Sequence, residues 1–258
     1  MLKRYIWVFA AVLLTVSCGK RAFRTDHYTD ERCYELTFDD ELWGEDGVIG
    51  LKASYDVVWP AKGLLDEAAE RELMFLTFDD SSAHSMQEAA EQWITSTFFY
   101  EEDQPQVRRV DSLPDDDGWG VSYEHVQSTC QDFGTRVLFT ISGESFGAGA
   151  AHGMYGVSYL TIDKESGRAL HLTDFVGDTT QLGVLIARAV HELDTNREVL
   201  SCLFDEYRDT DRMPQPNTFF VDSARTALTI VYGLYEVAPY ACGIQSVVLP
   251  FAWLDKQH

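Results

Sequence analysis

Residues 135–163 read TRVLFTISGESFGAGAAHGMYGVSYLTID. This stretch decides the fold class. A period of two stands at each end, in 135–143 and in 157–163, and glycine and alanine fill the middle. Such alternation builds half-buried strands. Residues 119–128 alternate as well. Glu165-Ser166-Gly167 has turn chemistry, and Leu170-His171-Leu172 closes a hairpin. Upstream, the period is helical. Leu64, Leu65, Ala68, Leu73 and Leu76 are spaced for a helix over 63–78. A second helix, capped by Asp80 or Ser81, runs through Met86, Ala89, Ala90 and Trp93. Strands are expected at 33–38 and at 54–59, the latter stopped by Pro60. The acidic 101–117 stretch, with Pro105 and Pro114, reads as a loop around a strand at 107–110. Downstream, Thr173 and Asp174 begin a short helical turn. An amphipathic helix follows over 180–193, with Leu182, Leu185, Ile186, Ala189, Val190 and Leu193 in one stripe. The Pro214-Gln215-Pro216 break precedes strands at 218–221, 227–232 and 245–249.

This order predicts an α+β fold, with a mainly antiparallel sheet packed against a few helices. The expected division is a leader at 1–17, a tether with the first strand at 18–48, a smaller N-terminal α/β subdomain at 49–134 and a C-terminal subdomain at 135–258.

The first residues, MLKRYIWVFAAVLLTVSCGK, place Lys3 and Arg4 before an apolar run over 6–16. That run is too short for a bilayer, which takes roughly 20 residues, and suits a signal peptide. Leu14-Thr15-Val16-Ser17-Cys18 reads as a loose lipobox, with Thr15 where a strict one has leucine. Cys18 is therefore the expected lipidation site, and the acyl chains are the expected membrane anchor. The alternative is a plain secretory signal cut elsewhere. No acidic surface-export signal follows Cys18, so the expected location is the cell envelope, at the outer membrane and facing the periplasm.

The chain of 258 residues carries 20 basic and 42 acidic residues, a formal net charge of −22. Nucleic acid is excluded as a partner, because phosphate contacts need clustered Lys and Arg. A cationic protein is the partner such a charge favours, although solubility alone would also use it. With Cys18 lipidated, Cys33, Cys130, Cys202 and Cys242 remain. An exported protein can join four cysteines in two disulfides, with three connectivities. Cys202 with Cys242 is the pair singled out, and four buried free thiols are the alternative. No CxxC pair points to zinc or to redox chemistry.

The chemical motifs each fall short. Gly143-Glu144-Ser145-Phe146-Gly147 matches G-x-S-x-G, yet more glycines stand where the nucleophile elbow needs a helix. Gly147, Gly149 and Gly153 do not fit a dinucleotide fingerprint. His191-Glu192 begins H-E-x-x-H, but Thr195 occupies the second histidine's place. Glu144, Asp163, Glu165, Asp174 and Glu236 could supply a glycosidase carboxylate pair, though acids are too common here for that to discriminate. No catalytic residue, metal or cofactor is expected. His152 reads as a histidine that ties the glycine-rich loop, or as a ligand contact.

Two stretches carry a resemblance. One is 147–176, GAGAAHGMYGVSYLTIDKESGRALHLTDFV, and the other is 232–251, YGLYEVAPYACGIQSVVLPF. Together they resemble a bacterial envelope domain of unassigned general function. It forms the extracellular part of the lysozyme-sensing anti-sigma factor RsiV and precedes the catalytic domain of some PdaC-type peptidoglycan deacetylases. The resemblance spans roughly 50–252. It implies an α+β RsiV-like C-terminal subdomain that binds rather than catalyses, with lysozyme as a cationic partner of the family. The family's Gly-Gly-Ala-His is here Gly149-Ala150-Ala151-His152. On this reading His152 and Tyr155 lie beside the second loop, with Tyr235, Glu236 and Tyr240 as ligand contacts. Gly147, Gly149, Gly153, Pro239 and Gly243 shape the loops. The expected function is a lipid-anchored binding protein for peptidoglycan, another glycan or a lysozyme-like protein. The alternatives are an envelope glycan hydrolase or esterase using His152 with a nearby carboxylate, and a structural lipoprotein.

Overall fold

The computed structural model describes residues 23–40, 45–97, 107–113 and 120–257. Cys18 and its lipobox lie outside them. The fold is α+β, with a large mixed sheet, a smaller antiparallel sheet and, among the described residues, seven α-helices. The chain divides into two compact units. One takes the described residues up to Cys130 with Ile141–Met154, and the other takes Gln131–Thr140 with Tyr155–His258.

In the first unit, β1 (Thr25–Asp40) and β2 (Glu45–Pro60) form a long antiparallel hairpin, from Thr25 opposite Pro60 to Asp40 opposite Glu45. The strand expected at 33–38 is thus the middle of a longer one, which starts where a tether was anticipated. β3 (Val107–Val110) pairs antiparallel with β1. β4 (Val121–Asp132) pairs parallel with β2, so the sheet is mixed. Two helices, α1 (Glu67–Phe78) and α2 (Met86–Ser96), supply the apolar cover. Asp66 caps α1 by accepting from Ala69 N–H at 2.8 Å. Ser85, not Asp80 or Ser81, caps α2. Asp80 instead accepts from Ser82 N–H at 2.7 Å in its own turn, a competing use of a short acidic side chain. Leu51, Ala53 and Val57 of β2 are buried, as are Leu73, Met74 and Phe78 of α1 and Ile94 of α2. Edge-to-face packing joins Tyr55 to Phe78 at 5.6 Å.

β5 (Arg136–Phe146) lies in the second unit up to Thr140 and in the first from Ile141, and in the second unit β6 (Met154–Asp163) is followed by β7 (Ala169–Leu170), which pairs antiparallel with it. The short α3 (Thr173–Val176) follows, then α4 (Leu182–Glu192), α5 (Arg197–Cys202) and α6 (Asp205–Arg208). The small sheet is β8 (Thr218–Val221), β9 (Ala227–Tyr232) and β10 (Gln245–Pro250), in the order β10-β9-β8, and α7 (Phe251–Leu254) ends the fold. Leu182, Ile186 and Val190 of α4 belong to one buried cluster with Leu228, Ile230, Val247 and Leu249 of the sheet. This helix stripe is the one the sequence spacing marks out. Tyr232 is fully buried, and its hydroxyl donates to the Pro214 carbonyl at 2.8 Å. Burial pushes that hydroxyl above the ordinary tyrosine range. Among the described residues no helix is long and apolar enough to cross a membrane.

Candidate tyrosine-lined binding site

The site is built on the loop between β9 and β10. Gly233 N–H donates to Glu236 Oε2 at 2.7 Å, and Asn217 Nδ2 donates to Glu236 Oε1 at 3.3 Å. Glu236 therefore ties the loop's entrance. Asn217, 19 residues upstream, is a partner that no local pattern announces. Val237 and Ala238 are buried and anchor the loop. Phe204 N–H donates to the Val237 carbonyl at 3.0 Å. Pro239, with φ −66°, leads into a single 3-10 turn at Tyr240–Cys242. Gly243 ends that turn with φ +67°, a left-handed value that favours glycine. The Gln245 side-chain amide donates to the carbonyls of Cys242, at 2.7 Å, and Gly243, at 3.1 Å.

Cys202, the last residue of α5, and Cys242 are joined by a disulfide, with Cα atoms 5.9 Å apart. Cys33 and Cys130 are free thiols. The bond fixes the 3-10 turn to a helix that is itself packed on the unit's core.

This scaffold gathers three tyrosines. Tyr155 and Tyr240 meet edge-to-face with ring centroids 6.2 Å apart, and Tyr235 and Tyr240 are 5.8 Å apart. A Cβ at Gly243 would sit 3.1 Å from the Tyr155 hydroxyl oxygen, so the bare glycine makes room for that ring. Tyr155 and Tyr235 remain 44% and 48% exposed. Tyr235 also has φ +62°, which is uncommon for a bulky residue. Such strain persists only where the surroundings impose it, and it concentrates at functional positions. The loop thus holds a strained aromatic side chain out toward solvent.

The glycine-rich stretch is a hairpin turn of the first unit. Ala150 N–H donates to the Gly147 carbonyl at 2.9 Å, and Gly149 takes φ +75°. Ala150 is not among the residues with positive φ, so alanine fits there without strain. Gly153 is needed for close approach, because a Cβ there would lie 2.9 Å from the Ser145 carbonyl oxygen. His152 is exposed, with Nδ1 3.1 Å from the Gly153 carbonyl oxygen. Ser145 opens no helix, which removes the nucleophile-elbow geometry. Among the described residues no three His, Cys, Asp or Glu side chains are placed to hold a metal ion.

A family model described as a protein of unknown function, DUF3298, matches residues 177–252. No curated protein matches the chain. Two solved structures share its fold. One is a DUF3298 family member from Bacteroides fragilis NCTC 9343, 19% identical, with a TM-score of 0.58, covering 91% of this chain and 92% of that one. The other is a DUF3298 family protein from Pseudomonas aeruginosa PAO1, 16% identical, with a TM-score of 0.54, covering 92% of this chain and 94% of that one. The matched residues hold α4, the small antiparallel sheet and the tyrosine-bearing loop, and they make this part of the chain a DUF3298 domain within an α+β fold that solved members of that family share.

Proposed function

We propose that this is a lipid-anchored binding protein of the cell envelope, held through Cys18 on the periplasmic side of the outer membrane. Its recognition surface is the cluster of Tyr155, Tyr235 and Tyr240. The observation that carries the reading is the exposed Tyr235, held at positive φ against Tyr240. Tyrosines are favoured at recognition surfaces because they bring large contact area at low entropic cost, with a polar tip. The ligand is a peptidoglycan glycan or a cationic protein such as lysozyme. The formal charge of −22 favours the latter at encounter. The resemblance to the RsiV-like envelope domain supports lysozyme as the first ligand to try.

The test is calorimetric titration of the full-length protein with hen-type lysozyme and, separately, with soluble muropeptides, at low and physiological salt. Stoichiometric binding is expected with one of them. Tyr240→Ala and Tyr235→Gly should each weaken it by about tenfold or more. Glycine is chosen at 235 because it keeps the left-handed φ without strain. Absence of heat with both ligands at low salt refutes the reading. So does binding that both variants leave unchanged.

A further inference from the structure

The loop between β9 and β10 turns its backbone hydrogen bonds inward. Cys242 N–H donates to the Pro239 carbonyl and Gly243 N–H to the Tyr240 carbonyl, both at 2.9 Å. The carbonyls of Cys242 and Gly243 accept from the Gln245 amide. What the loop shows to solvent is therefore aromatic. The rings of Tyr155 and Tyr240 are inclined at 71°, and those of Tyr235 and Tyr240 at 34°. Inclined in this way, the rings form a corner rather than a flat platform. The electrostatics of the corner have one sign. Residues 226–254 contain no Lys, Arg or His, and Glu236 is their one acid. Residues 155–162 contain no charged residue. The Glu236 carboxylate accepts from neutral groups, the Gly233 N–H and the Asn217 amide, and these bonds leave its negative charge uncompensated.

We propose that the corner formed by Tyr155, Tyr235 and Tyr240 takes an arginine side chain of a protein partner. This rests on the tyrosine cluster being the recognition surface, and it narrows the ligand there to a guanidinium group. Three features select that occupant. First, the face of an aromatic ring carries negative potential, and a cation is drawn to it. Two faces set at an angle let one compact cation touch both. Second, the uncompensated carboxylate of Glu236 adds attraction of the same sign, in a chain whose formal charge is −22. Third, a sugar needs several directed polar partners, and the turn has committed those of its backbone to itself. Arginine is preferred to lysine for a separate reason. Its guanidinium is planar and weakly hydrated, so it can lie on a ring while its N–H groups reach the phenol oxygens. The lysine ammonium is more strongly hydrated and gives up more on leaving water.

The test uses three short peptides, acetyl-Gly-X-Gly-amide with X as arginine, lysine or citrulline. Citrulline keeps the shape of arginine and removes its charge. Each peptide is titrated into the full-length protein in a non-ionic detergent at physiological salt, and the tyrosine ring signals are followed by NMR. The arginine peptide should shift the rings of Tyr155, Tyr235 and Tyr240. The lysine peptide should bind there about threefold more weakly, and the citrulline peptide about fivefold or more. Tyr155→Leu should weaken the arginine peptide by about fivefold. The wild-type comparison needs no variant to fold, and a melting curve shows whether Tyr155→Leu does. Three results overturn the proposal: no ring shifts with the arginine peptide, equal affinity for arginine and citrulline, or equal affinity for arginine and lysine, which would mean attraction by charge alone. Its failure is distinct from that of the binding reading. Calorimetric binding of lysozyme without ring shifts from the arginine peptide overturns the inference and leaves the reading standing. Ring shifts without heat from lysozyme or muropeptides do the reverse.

Discussion

Asn196 illustrates how much one side chain can organise. It is fully buried at the end of a 3-10 turn. Its amide donates to the carbonyls of Ala189 and Val248, both at 3.0 Å, and its Oδ1 accepts from Val248 N–H at 2.9 Å. It therefore joins α4 to β10 through groups that water cannot reach. Asn196→Ala should cost about 2–4 kcal/mol, because it strands a buried N–H and two carbonyls as well as losing the bonds. Urea unfolding checks this, and a midpoint equal to wild type would show that the bonds are replaced locally. In the sequence this residue looks like an ordinary polar loop position in DTNRE. Only the partners, 52 residues away for Val248, give it meaning. Tyr240 is the opposite case. It stands inside an Ala-Pro-Tyr-Ala motif, so its presence in a shaped loop was readable, whereas the left-handed φ of Tyr235 was not.

At the scale of elements, α4 was legible because six apolar positions repeat at one helical period and pack on one sheet. Its Gly183 runs against helix propensity, and the structure supplies the reason. A Cβ there would lie 2.5 Å from the Met213 carbonyl oxygen, which accepts nothing so close without moving. Propensity alone would make Gly183→Ala stabilising by about 1 kcal/mol. The backbone clash outweighs it, since overpacking against a fixed chain typically costs about 1–3 kcal/mol. The variant should melt at a lower temperature than wild type, and a rise would mean that the 212–214 segment yields freely. Met213 N–H also donates to the Gly183 carbonyl at 2.9 Å, which holds that segment in place. The short helices α5, α6 and α7 were not legible. Elements of four to six residues show too little period to read. The length of β1 was hidden for another reason. In its first half Thr25, His27, Thr29 and Glu31 are polar and exposed, so TDHYTDER reads as a tether until its pairing with β2 is known.

Across the whole molecule, strand identity was legible and strand order was not. β8 and β9 lie at the residues that alternation marks. The parallel pairing of β4 with β2 joins segments about seventy positions apart and leaves no local trace. The same holds for side chains. The Tyr235–Gly243 loop could be singled out from its Pro and Gly, while the hydrogen bond between Ser54 Oγ and His125 Nδ1, at 2.9 Å, exists only through that parallel register. Charge is the one whole-chain property that needs no fold to read, and it makes a kinetic prediction. At a formal charge of −22, a cationic protein is drawn in from a distance when salt is low. Screening shortens that reach to about 10 Å at 0.1 M salt and about 3 Å at 1 M. The association rate with lysozyme should therefore fall about tenfold or more between low and physiological salt. The dissociation rate, set by close contacts of the tyrosines, should change much less. Stopped-flow mixing across a salt series reads both rates. An association rate indifferent to salt would mean that the acidity serves solubility alone, leaving the tyrosines to find their ligand without steering.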